Sequence, residues 1–228
     1  MPSLLAKVSY FADLDAGALE RIERRSRSRT YAAGQIVFLE GEPCLDLCIL
    51  ESGRVLFYRT SAEGREQVLK VFEQPGDTFC IPSAFSAGRH IVNVKAASNT
   101  RLRMLDMQMV NAVVREHPSV GLKLIATAGE HMKHLVTLAQ DLALKTTTAR
   151  LAKHLHDLAS SERASESKRL SIPRAHLRQD ELASMLGTVR VNVSRSLANL
   201  VRSGAIQLDR KSIHIRDLPT LKRISQGK

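Results

Sequence analysis

The chain has 228 residues, with 34 lysines and arginines against 23 aspartates and glutamates and a formal net charge of +11, so it is long enough for one large domain or two small ones. Its 43% hydrophobic and 25% charged residues are typical of a globular protein, and no apolar run approaches the roughly 18–20 residues of a membrane span. An odd number of cysteines, three, argues against a disulfide scaffold and favours the reducing cytoplasm. The low aromatic content, 4%, argues against a recognition surface built on aromatic stacking. No apolar stretch follows the N-terminus, which argues against a secretory signal.

The excess positive charge is concentrated in the C-terminal part of the chain. Residues 1–142 hold 17 basic and 16 acidic residues, a net of +1, whereas residues 143–228 hold 17 and 7, a net of +10. A small, strongly basic module beside a neutral one indicates a nucleic-acid-binding domain. A solvated basic surface is the alternative that charge alone leaves open.

The N-terminal half predicts a short helix followed by a β-roll. Ala16 to Arg29 reads as an amphipathic helix that caps the roll, with Leu19 and Ile22 on its apolar side. From Thr30 to about Arg103, short apolar segments alternate with glycine-containing turns, which predicts an antiparallel sandwich or barrel-like roll. The predicted strand segments are Ile36–Leu39, Leu45–Leu50, Val55–Tyr58, Gln67–Phe72, Ile91–Val94 and Leu102–Leu105.

Two helices are predicted next, and the second is the longest periodic stretch of the chain. The first covers Asp106–Glu116 and is stopped by Pro118, and the second runs from about Ser119 to Leu144. Its apolar residues step by 4, 3, 4, 3 and 4, which predicts a parallel dimer seam, with packing against the chain's own core as the alternative. The predicted seam consists of Leu124, Ala128, His131, Leu135, Leu138 and Leu142.

Residues 145–148 interrupt the heptad pattern of this helix. A threonine there can cap a further helix that runs to Ala159, and Ser160 to Lys168 reads as an exposed loop. Ser171–Pro173 is a candidate short strand. The predicted fold class is α+β, with a β-roll domain over residues 1–118, the long helix of the dimer seam and its break over 119–145 and a basic, nucleic-acid-binding domain over 146–228.

The segment 178–200 has the pattern of a helix-turn-helix. Leu182, Ala183 and Leu186 form the inner face of a short helix, and Gly187 supplies a left-handed turn. Thr188 is placed to cap a second helix over residues 188–201, whose inward face is Val193, Leu197 and Leu200. Two strands at Gly204–Leu208 and Ser212–Ile215, around Asp209-Arg210-Lys211, read as a wing. An ordinary helical hairpin is the structural alternative.

The exposed face of that second helix carries the predicted DNA contacts. Arg190 and Arg195 lie about one turn apart and suit bidentate hydrogen bonds to guanine in the major groove. The predicted base-reading residues are Arg190, Val191, Ser194 and Arg195. The predicted phosphate-contacting residues are Thr188, Asn192, Ser196 and Arg202.

The chain resembles the bacterial regulators of the cyclic-AMP receptor and fumarate-nitrate-reduction (CRP/FNR) family over about residues 10–218. The resemblance is carried by Gly34–Glu42, Leu50–Val55, Pro75–Asp77, Ala149–Ala152 and Leu186–Arg195. It implies a cyclic-nucleotide-binding-like β-roll, a long dimerisation helix, a hinge near Leu144–Thr146 and a C-terminal winged helix-turn-helix. The implied partners are a second copy of the chain, a pseudo-palindromic double-stranded DNA operator and RNA polymerase, with no membrane partner.

The family's base-reading positions fall on the four predicted residues, with one departure. Val191 stands where glutamate is common, and valine can pack on a thymine methyl group but cannot accept a hydrogen bond from cytosine. The operator is therefore expected to differ from the family's usual half-site at that base pair.

The resemblance leaves the signal open. In cyclic-nucleotide-binding members of the family, a Gly-Glu pair and an Arg-Ser pair hold the ribose and the cyclic phosphate. Here Cys80-Ile81 stands in place of the Gly-Glu pair, and Arg89 is present without the serine of the Arg-Ser pair. Both departures disfavour cyclic AMP. The absence of a cysteine before Cys44 disfavours the iron–sulfur cluster of the oxygen-sensing branch.

Haem remains an alternative. Gly76–Cys80 together with Met1-Pro2 resembles the carbon-monoxide-sensing branch, in which such a cysteine and an N-terminal proline bind the iron, although Pro82 replaces that branch's histidine. A buried, structural Cys80 is the other interpretation. The candidate effector pocket comprises Phe79, Cys80, Arg89, His90 and His131.

Other site classes have weaker support. Cys44 and Cys48 are too few for a metal site, so no metal is predicted, and either could respond to oxidants only if exposed. The chain shows no nucleophile elbow, phosphate loop or metal-binding histidine pair, which argues against an enzyme. A cyclic-nucleotide-binding signalling module without a DNA role is the third class, and the basic helix-turn-helix disfavours it.

Overall fold

The computed structural model describes residues 4–85, 88–163, 171–173, 178–210 and 212–227. The chain divides into two compact units, one made of Met1–Arg59 and Leu69–Leu135, the other of Thr60–Val68 and Val136–Lys228. The predicted ligand pair Met1-Pro2 and the wing residue Lys211 lie outside the described residues.

The β-roll of the first unit consists of two four-stranded antiparallel sheets, ordered β1-β8-β3-β6 and β2-β7-β4-β5. All six predicted strand segments are confirmed, and two further strands, β1 and β6, join them. The strands are β1 (Arg27–Tyr31), β2 (Ile36–Phe38), β3 (Asp46–Ser52), β4 (Val55–Thr60), β5 (Glu66–Phe72), β6 (Thr78–Phe79), β7 (Asn93–Ala96) and β8 (Thr100–Asp106).

The helices of this unit are α1 (Ala16–Arg25), α2 (Ile81–Phe85), α3 (Met107–Glu116) and the first part of α4 (Pro118–Leu144), and two single-turn helices precede them at Leu4–Lys7 and Ser9–Phe11. The prediction that α1 continues to Arg29 is wrong. The helix ends at Arg25 because Arg27–Tyr31 pairs with β8 along its whole length, and those ladder hydrogen bonds replace the last helical turn.

The core of the first unit forms two clusters. One joins the N-terminal turns to α1, α3 and the start of α4, and includes Tyr10, Phe11, Val120 and Leu124. The other fills the roll, where the rings of Phe57, Phe72 and Phe79 lie 4.8–5.4 Å apart between centroids. Such an aromatic filling stabilises a roll through large buried area.

The second unit is a helical domain with a three-stranded antiparallel sheet in the order β10-β11-β9. The predicted strand at Ser171–Pro173 and both wing strands are confirmed. The elements are α5 (Thr147–Arg163), β9 (Ser171–Pro173), α6 (Gln179–Leu186), α7 (Arg190–Arg202), β10 (Ile206–Leu208), β11 (Ser212–Ile215) and α8 (Leu218–Ser225). One buried cluster, including Leu151, Leu155 and Leu221, holds them together.

The break between α4 and α5 is fixed by two local contacts. Arg150 donates from its guanidinium to the backbone oxygen of Lys145 at 2.7 Å, which satisfies a carbonyl at the end of α4. The Thr146 hydroxyl accepts from the backbone N–H of Ala149 at 3.2 Å and caps α5, because the first N–H groups of a helix have no partner within it. The predicted threonine cap is confirmed.

Two boundaries in the second unit differ from the sequence prediction. α5 continues to Arg163, so the start of the predicted loop at Ser160 is helical, and the rest of that loop lies outside the described residues. Gly187 adopts the predicted left-handed conformation, with φ of 62°. Thr188 does not cap the next helix, which begins at Arg190 after Val189 with no side-chain cap.

Candidate nucleic-acid interface

The helix-turn-helix is built from opposed apolar faces on α6 and α7. Leu182, Ala183 and Leu186 of α6 are buried in the same cluster as Val193, Leu197 and Leu200 of α7, as the spacing predicts. Because these residues occupy one side of α7, the opposite side of that helix is left for solvent.

The exposed side of α7 carries all four predicted base-reading residues, Arg190, Val191, Ser194 and Arg195. Val191 has 58% of its surface exposed, so its methyl groups are accessible on this face. The arrangement offers two cationic forks, a hydroxyl and a methyl surface, which are the groups that read base edges.

Gln179, the first residue of α6, positions two of these side chains. Its Oε1 accepts from Nε of Arg190 at 3.0 Å and from Oγ of Ser194 at 3.4 Å. Sequence reasoning missed Gln179 because its role depends on the turn that brings the start of α6 beside α7. Held in this way, Arg190 loses less side-chain entropy when it binds.

The predicted phosphate contacts separate into three groups. Asn192 donates to the hydroxyl of Thr188 at 3.0 Å, which ties the turn to the first turn of α7. Arg202 is exposed and donates to Asn199. Ser196 is buried, with 3% exposed surface, and its hydroxyl accepts from Thr148 at 3.2 Å, so the prediction that it lies on the phosphate-facing surface is wrong.

The structure divides the predicted dimer seam: three of its residues pack within the chain, whereas Leu135 has 42% of its surface exposed. Leu124 is buried in the chain's own core, and Ala128 packs against the same cluster. His131 packs edge-on against Phe72 of β5, with ring centroids 5.7 Å apart. The 4-3 spacing is therefore satisfied for these residues within one chain, which is the alternative that the sequence left open.

A second stripe on α4 has the same rhythm and faces solvent. Its members step by 3, 4, 3, 4, 3 and 4, and all seven are apolar or small and exposed. We call this set the exposed stripe: Leu122, Ile125, Gly129, Met132, Val136, Ala139 and Ala143. An exposed heptad stripe of this length is the surface that a second helix covers in a coiled coil.

The candidate effector residues divide between two environments. Phe79, Cys80 and His90 are buried together in the roll core. Arg89 is exposed, and its guanidinium donates to the backbone oxygen of Gly41 at 2.7 Å. This hydrogen bond stabilises the turn of the chain at Gly41. Burial, together with the nearby positive charge of Lys70, lowers the pKa of His131 to about 4, so the ring is neutral at pH 7.

The structure brings together three buried groups that the sequence did not connect. The ligand-type atoms of Cys44, Cys80 and His90 all lie within 4.8 Å of one another. A thiol–thiol hydrogen bond with Cys80, together with burial, raises the pKa of Cys44, and burial raises the pKa of Cys80 well above its usual value. Cys44 and Cys48 are both buried, so the exposure that a redox-responsive thiol requires is not met.

An apolar cavity of about 500 Å³ lies between α2 and α4 in the first unit. Its lining includes Ile81, Phe85 and Leu124, together with Ile125 and Met132 of the exposed stripe. Cys80, Arg89 and His90 are not among the residues that line this cavity. The Cys80 thiol instead faces His90, with Sγ 3.7 Å from Nδ1, so the geometry gives no support to haem binding through Cys80.

Comparison with known proteins assigns both units. Residues 28–117 match the cyclic nucleotide-binding domain, and residues 149–224 match the Crp-like helix-turn-helix domain. The chain is 27% identical over 223 residues to the CRP-like cAMP-activated global transcriptional regulator of Mycobacterium tuberculosis, covering 98% of this chain and 99% of that protein. It is 27% identical over 199 residues to the cyclic AMP receptor protein of Thermus thermophilus, covering 87% and 88%.

Among solved structures, a mutant of CooA from Carboxydothermus hydrogenoformans is similar in fold, with a TM-score of 0.75 at 24% identity over 99% of this chain and 97% of that one. A nucleotide-binding-type roll, a long helix and a winged helix-turn-helix together define a DNA-binding transcriptional regulator of the two-domain bacterial type. The chain belongs to the CRP/FNR family of transcriptional regulators.

Proposed function

We propose that this protein regulates transcription as a homodimer that binds a pseudo-palindromic operator, with α7 of each protomer in the major groove. The observation that carries the proposal is the exposed face of α7, where Arg190, Val191, Ser194 and Arg195 stand opposite the buried Val193, Leu197 and Leu200. A helix so oriented presents base-reading groups while its other face is held by the domain core.

Each exposed side chain of α7 has a distinct proposed role. Arg190 and Arg195 donate to O6 and N7 of guanine, and Val191 packs on a thymine methyl group. Arg202 and the pair Thr188 and Asn192 contact phosphates, which fixes the register of the helix in the groove without reading sequence. Ser196 is omitted from this set because it is buried.

The dimer interface that we propose is the exposed stripe on α4. Its apolar side chains face solvent in the single chain, and a second copy related by a twofold axis would bury both stripes against each other. Ile125 and Met132 belong both to the stripe and to the lining of the apolar cavity, so the same pairing would also cover the cavity mouth.

We propose that the roll reads a signal other than cyclic AMP. The mycobacterial relative is described as cAMP-activated, but here Cys80 of the replaced Gly-Glu pair is buried against Cys44 and His90, and Arg89 is committed to Gly41. At the Cys80-Ile81 position there is therefore no acidic side chain that could bind a ribose. Titration with cyclic AMP is expected to leave DNA affinity unchanged, and an increase would refute this part of the proposal.

Regulation of transcription by this dimer implies contact with RNA polymerase at the promoter, which we propose by analogy with the family. Even the 27-residue α4 does not combine the length and hydrophobicity of a membrane span, and the same holds for the other helices in the described residues. We propose that the protein acts on DNA in the cytoplasm, and that it does so as a regulator without catalysis.

The test is DNA binding by the full-length chain, measured by fluorescence anisotropy on duplexes enriched from a random pool and on a random duplex. Arg195→Ala is expected to weaken specific binding by about 5- to 150-fold, which corresponds to about 1–3 kcal/mol, and to relax specificity at one base pair. Arg24→Ala on α1 removes the same charge from an exposed site outside the DNA-binding domain and is the matched control. Equal losses by Arg195→Ala on both duplexes would refute base reading.

A further inference from the structure

We propose that the β-roll contains a zinc site in which the thiolates of Cys44 and Cys80 and the imidazole of His90 coordinate one Zn²⁺ ion. Among the described residues, these three side chains bring one ligand atom each to within 4.8 Å of the others. Cysteine sulfur and histidine nitrogen are the ligands that zinc prefers in proteins. The site goes beyond the proposed DNA-binding function and does not depend on it.

The distance between the Cys80 and His90 ligand atoms is close to that of a tetrahedral metal site. Bonds of about 2.3 Å to sulfur and about 2.0–2.1 Å to nitrogen, at a tetrahedral angle, place the two ligand atoms about 3.6 Å apart. Sγ of Cys80 lies 3.7 Å from Nδ1 of His90. Cys80 and His90 therefore need little movement to bind one ion, and the Cys44 sulfur lies within 4.8 Å of both ligand atoms.

The backbone holds two of the ligands together independently of their side chains. The N–H of Cys44 donates to the carbonyl of Gly88 at 2.8 Å, and the N–H of His90 donates to the carbonyl of Glu42 at 2.9 Å. Between them, Pro43 and Arg89 form an isolated antiparallel bridge. Because short ladder contacts fix both segments, Cys44 and His90 are preorganised as a pair.

The third ligand is placed by an unusual backbone conformation. Cys80 is the non-glycine residue with positive φ in the described chain, at 71°, and it follows Phe79, which pairs with Cys48 of β3. A left-handed conformation is unfavourable for a residue with a side chain, so the surrounding structure must hold Cys80 in place. The ring of Phe38 stacks on His90 with centroids 4.1 Å apart, which fixes the plane of the imidazole.

The charge of the site identifies a divalent ion. Two thiolates, a neutral imidazole and Zn²⁺ sum to zero, which suits a location where all three ligands have less than 5% of their surface exposed and where an uncompensated charge would be costly. A monovalent thiophilic ion such as Cu⁺ would leave one negative charge. Binding breaks two S–H bonds and releases two protons to solvent, so the affinity must increase with pH.

Cys48 provides a matched control within the same cluster. It is fully buried, and its thiol lies 3.6 Å from the sulfur of Met104. It is not one of the three groups whose ligand atoms are mutually close. Replacing Cys48 therefore removes a thiol from the same core without removing a proposed ligand.

The full-length protein is purified under reducing conditions without added metal, and its zinc content is measured by inductively coupled plasma mass spectrometry. The chelator-stripped protein is then titrated with ZnCl₂ against a chromophoric competitor. The wild type is expected to bind about one zinc per chain, and Cys44→Ser and His90→Gln are expected to lose on the order of 100-fold or more in affinity, whereas Cys48→Ala stays within about threefold. Circular dichroism confirms that each variant is folded.

Several results would overturn the site. These are a wild type that neither contains nor takes up Zn²⁺, undiminished affinity in Cys44→Ser, an equal loss in Cys48→Ala, or a Cys44–Cys80 disulfide in place of the metal. DNA binding is measured on the same samples. Zinc binding without DNA binding would refute only the proposed regulatory function. DNA binding without zinc binding would refute only the proposed zinc site.

Discussion

The position of the dimer interface on α4 is tested by truncating two residues of the exposed stripe. Ile125 and Met132 lie seven residues apart and have 70% and 64% of their surface exposed in the single chain. The double variant Ile125→Ala, Met132→Ala keeps the helix, because alanine has the highest helix propensity. The two side chains contribute little to the fold of one protomer, so their loss acts mainly on association.

The expected cost follows from the exposed surface of these side chains. Each truncation removes three heavy atoms, worth about 0.8 kcal/mol per methylene when fully buried. We scale this value by the exposed fraction of each side chain and sum it over the four side chains of the dimer. The result is an upper bound of about 6 kcal/mol for the loss of dimerisation free energy. If half of that surface becomes buried, the dimer loses about 3 kcal/mol, and its Kd increases on the order of 100-fold.

Sedimentation equilibrium over a range of protein concentrations measures this change. Leu138→Ala is the register control, because Leu138 belongs to the face of α4 on which His131 packs against the chain's own roll, and Glu130→Ala is the control for an exposed side chain beside the stripe. Both are expected to leave the dimer Kd within about threefold of the wild type. An unchanged Kd in the double variant, or a larger effect of Leu138→Ala, would refute the assignment of the interface to the exposed stripe.

Three further predictions concern single residues. Gln179→Ala is expected to weaken specific DNA binding by about 3- to 10-fold, by the loss of about 1 kcal/mol of positioning hydrogen bonds, with random DNA unaffected in anisotropy; an equal effect on both duplexes would contradict it. Gly187→Ala is expected to lower the free energy of unfolding by about 1–2 kcal/mol in urea, because φ is 62° there; an unchanged midpoint would contradict the strain argument. Because the folded pKa of His131 is about 4, below the unfolded value, its contribution to stability is complete above about pH 6.5 and is lost as pH falls toward 4. His131→Gln should flatten the profile of urea midpoint against pH between about pH 6.5 and 4. The charged and titratable groups around His131 are Lys70, His134 and Asp77. An unaltered slope would show that these groups do not act through His131.

The architecture could be predicted from sequence because each part carries a local signal. Alternating apolar segments separated by glycine turns gave all six predicted strands, and the 3.6-residue period gave α3, α4, α6 and α7. The C-terminal helix α8 had a signal that was overlooked. Asp217 caps it by accepting from the N–H of Thr220 at 3.0 Å, Pro219 lies in its first turn, and Leu221 is fully buried.

Periodicity alone could not show which face of α4 is already occupied within the chain. α4 carries two apolar faces with the same 4-3 rhythm, one containing Leu124 and His131 and the other containing Ile125 and Met132. The periodicity of each is the same, and only the packing of Leu124 beneath the chain's own N-terminal turns shows which face is already occupied. Tertiary contacts decide between two patterns that local spacing leaves equal.

The Cys44, Cys80 and His90 cluster lay beyond sequence reasoning for a different reason. Its members are 36 and 10 residues apart, whereas a recognisable zinc motif pairs ligands two to five residues apart. Only the bridge between Pro43 and Arg89, and the turn at Cys80, bring them together. The proposed base-reading residues, in contrast, all lie on one helix, so the sequence could place them on one exposed face. Ser196, which was expected on the surface, is buried.

The proposed twofold-symmetric dimer is expected to read DNA through α7. This expectation is tested most directly by selecting duplexes from a random pool with the full-length wild type and reading the symmetry of the enriched sequence. The structure predicts an inverted repeat whose half-site centres lie one helical turn apart, about 10 base pairs, with guanine in each half-site. A single asymmetric site, a direct repeat or no enriched sequence would contradict the expectation.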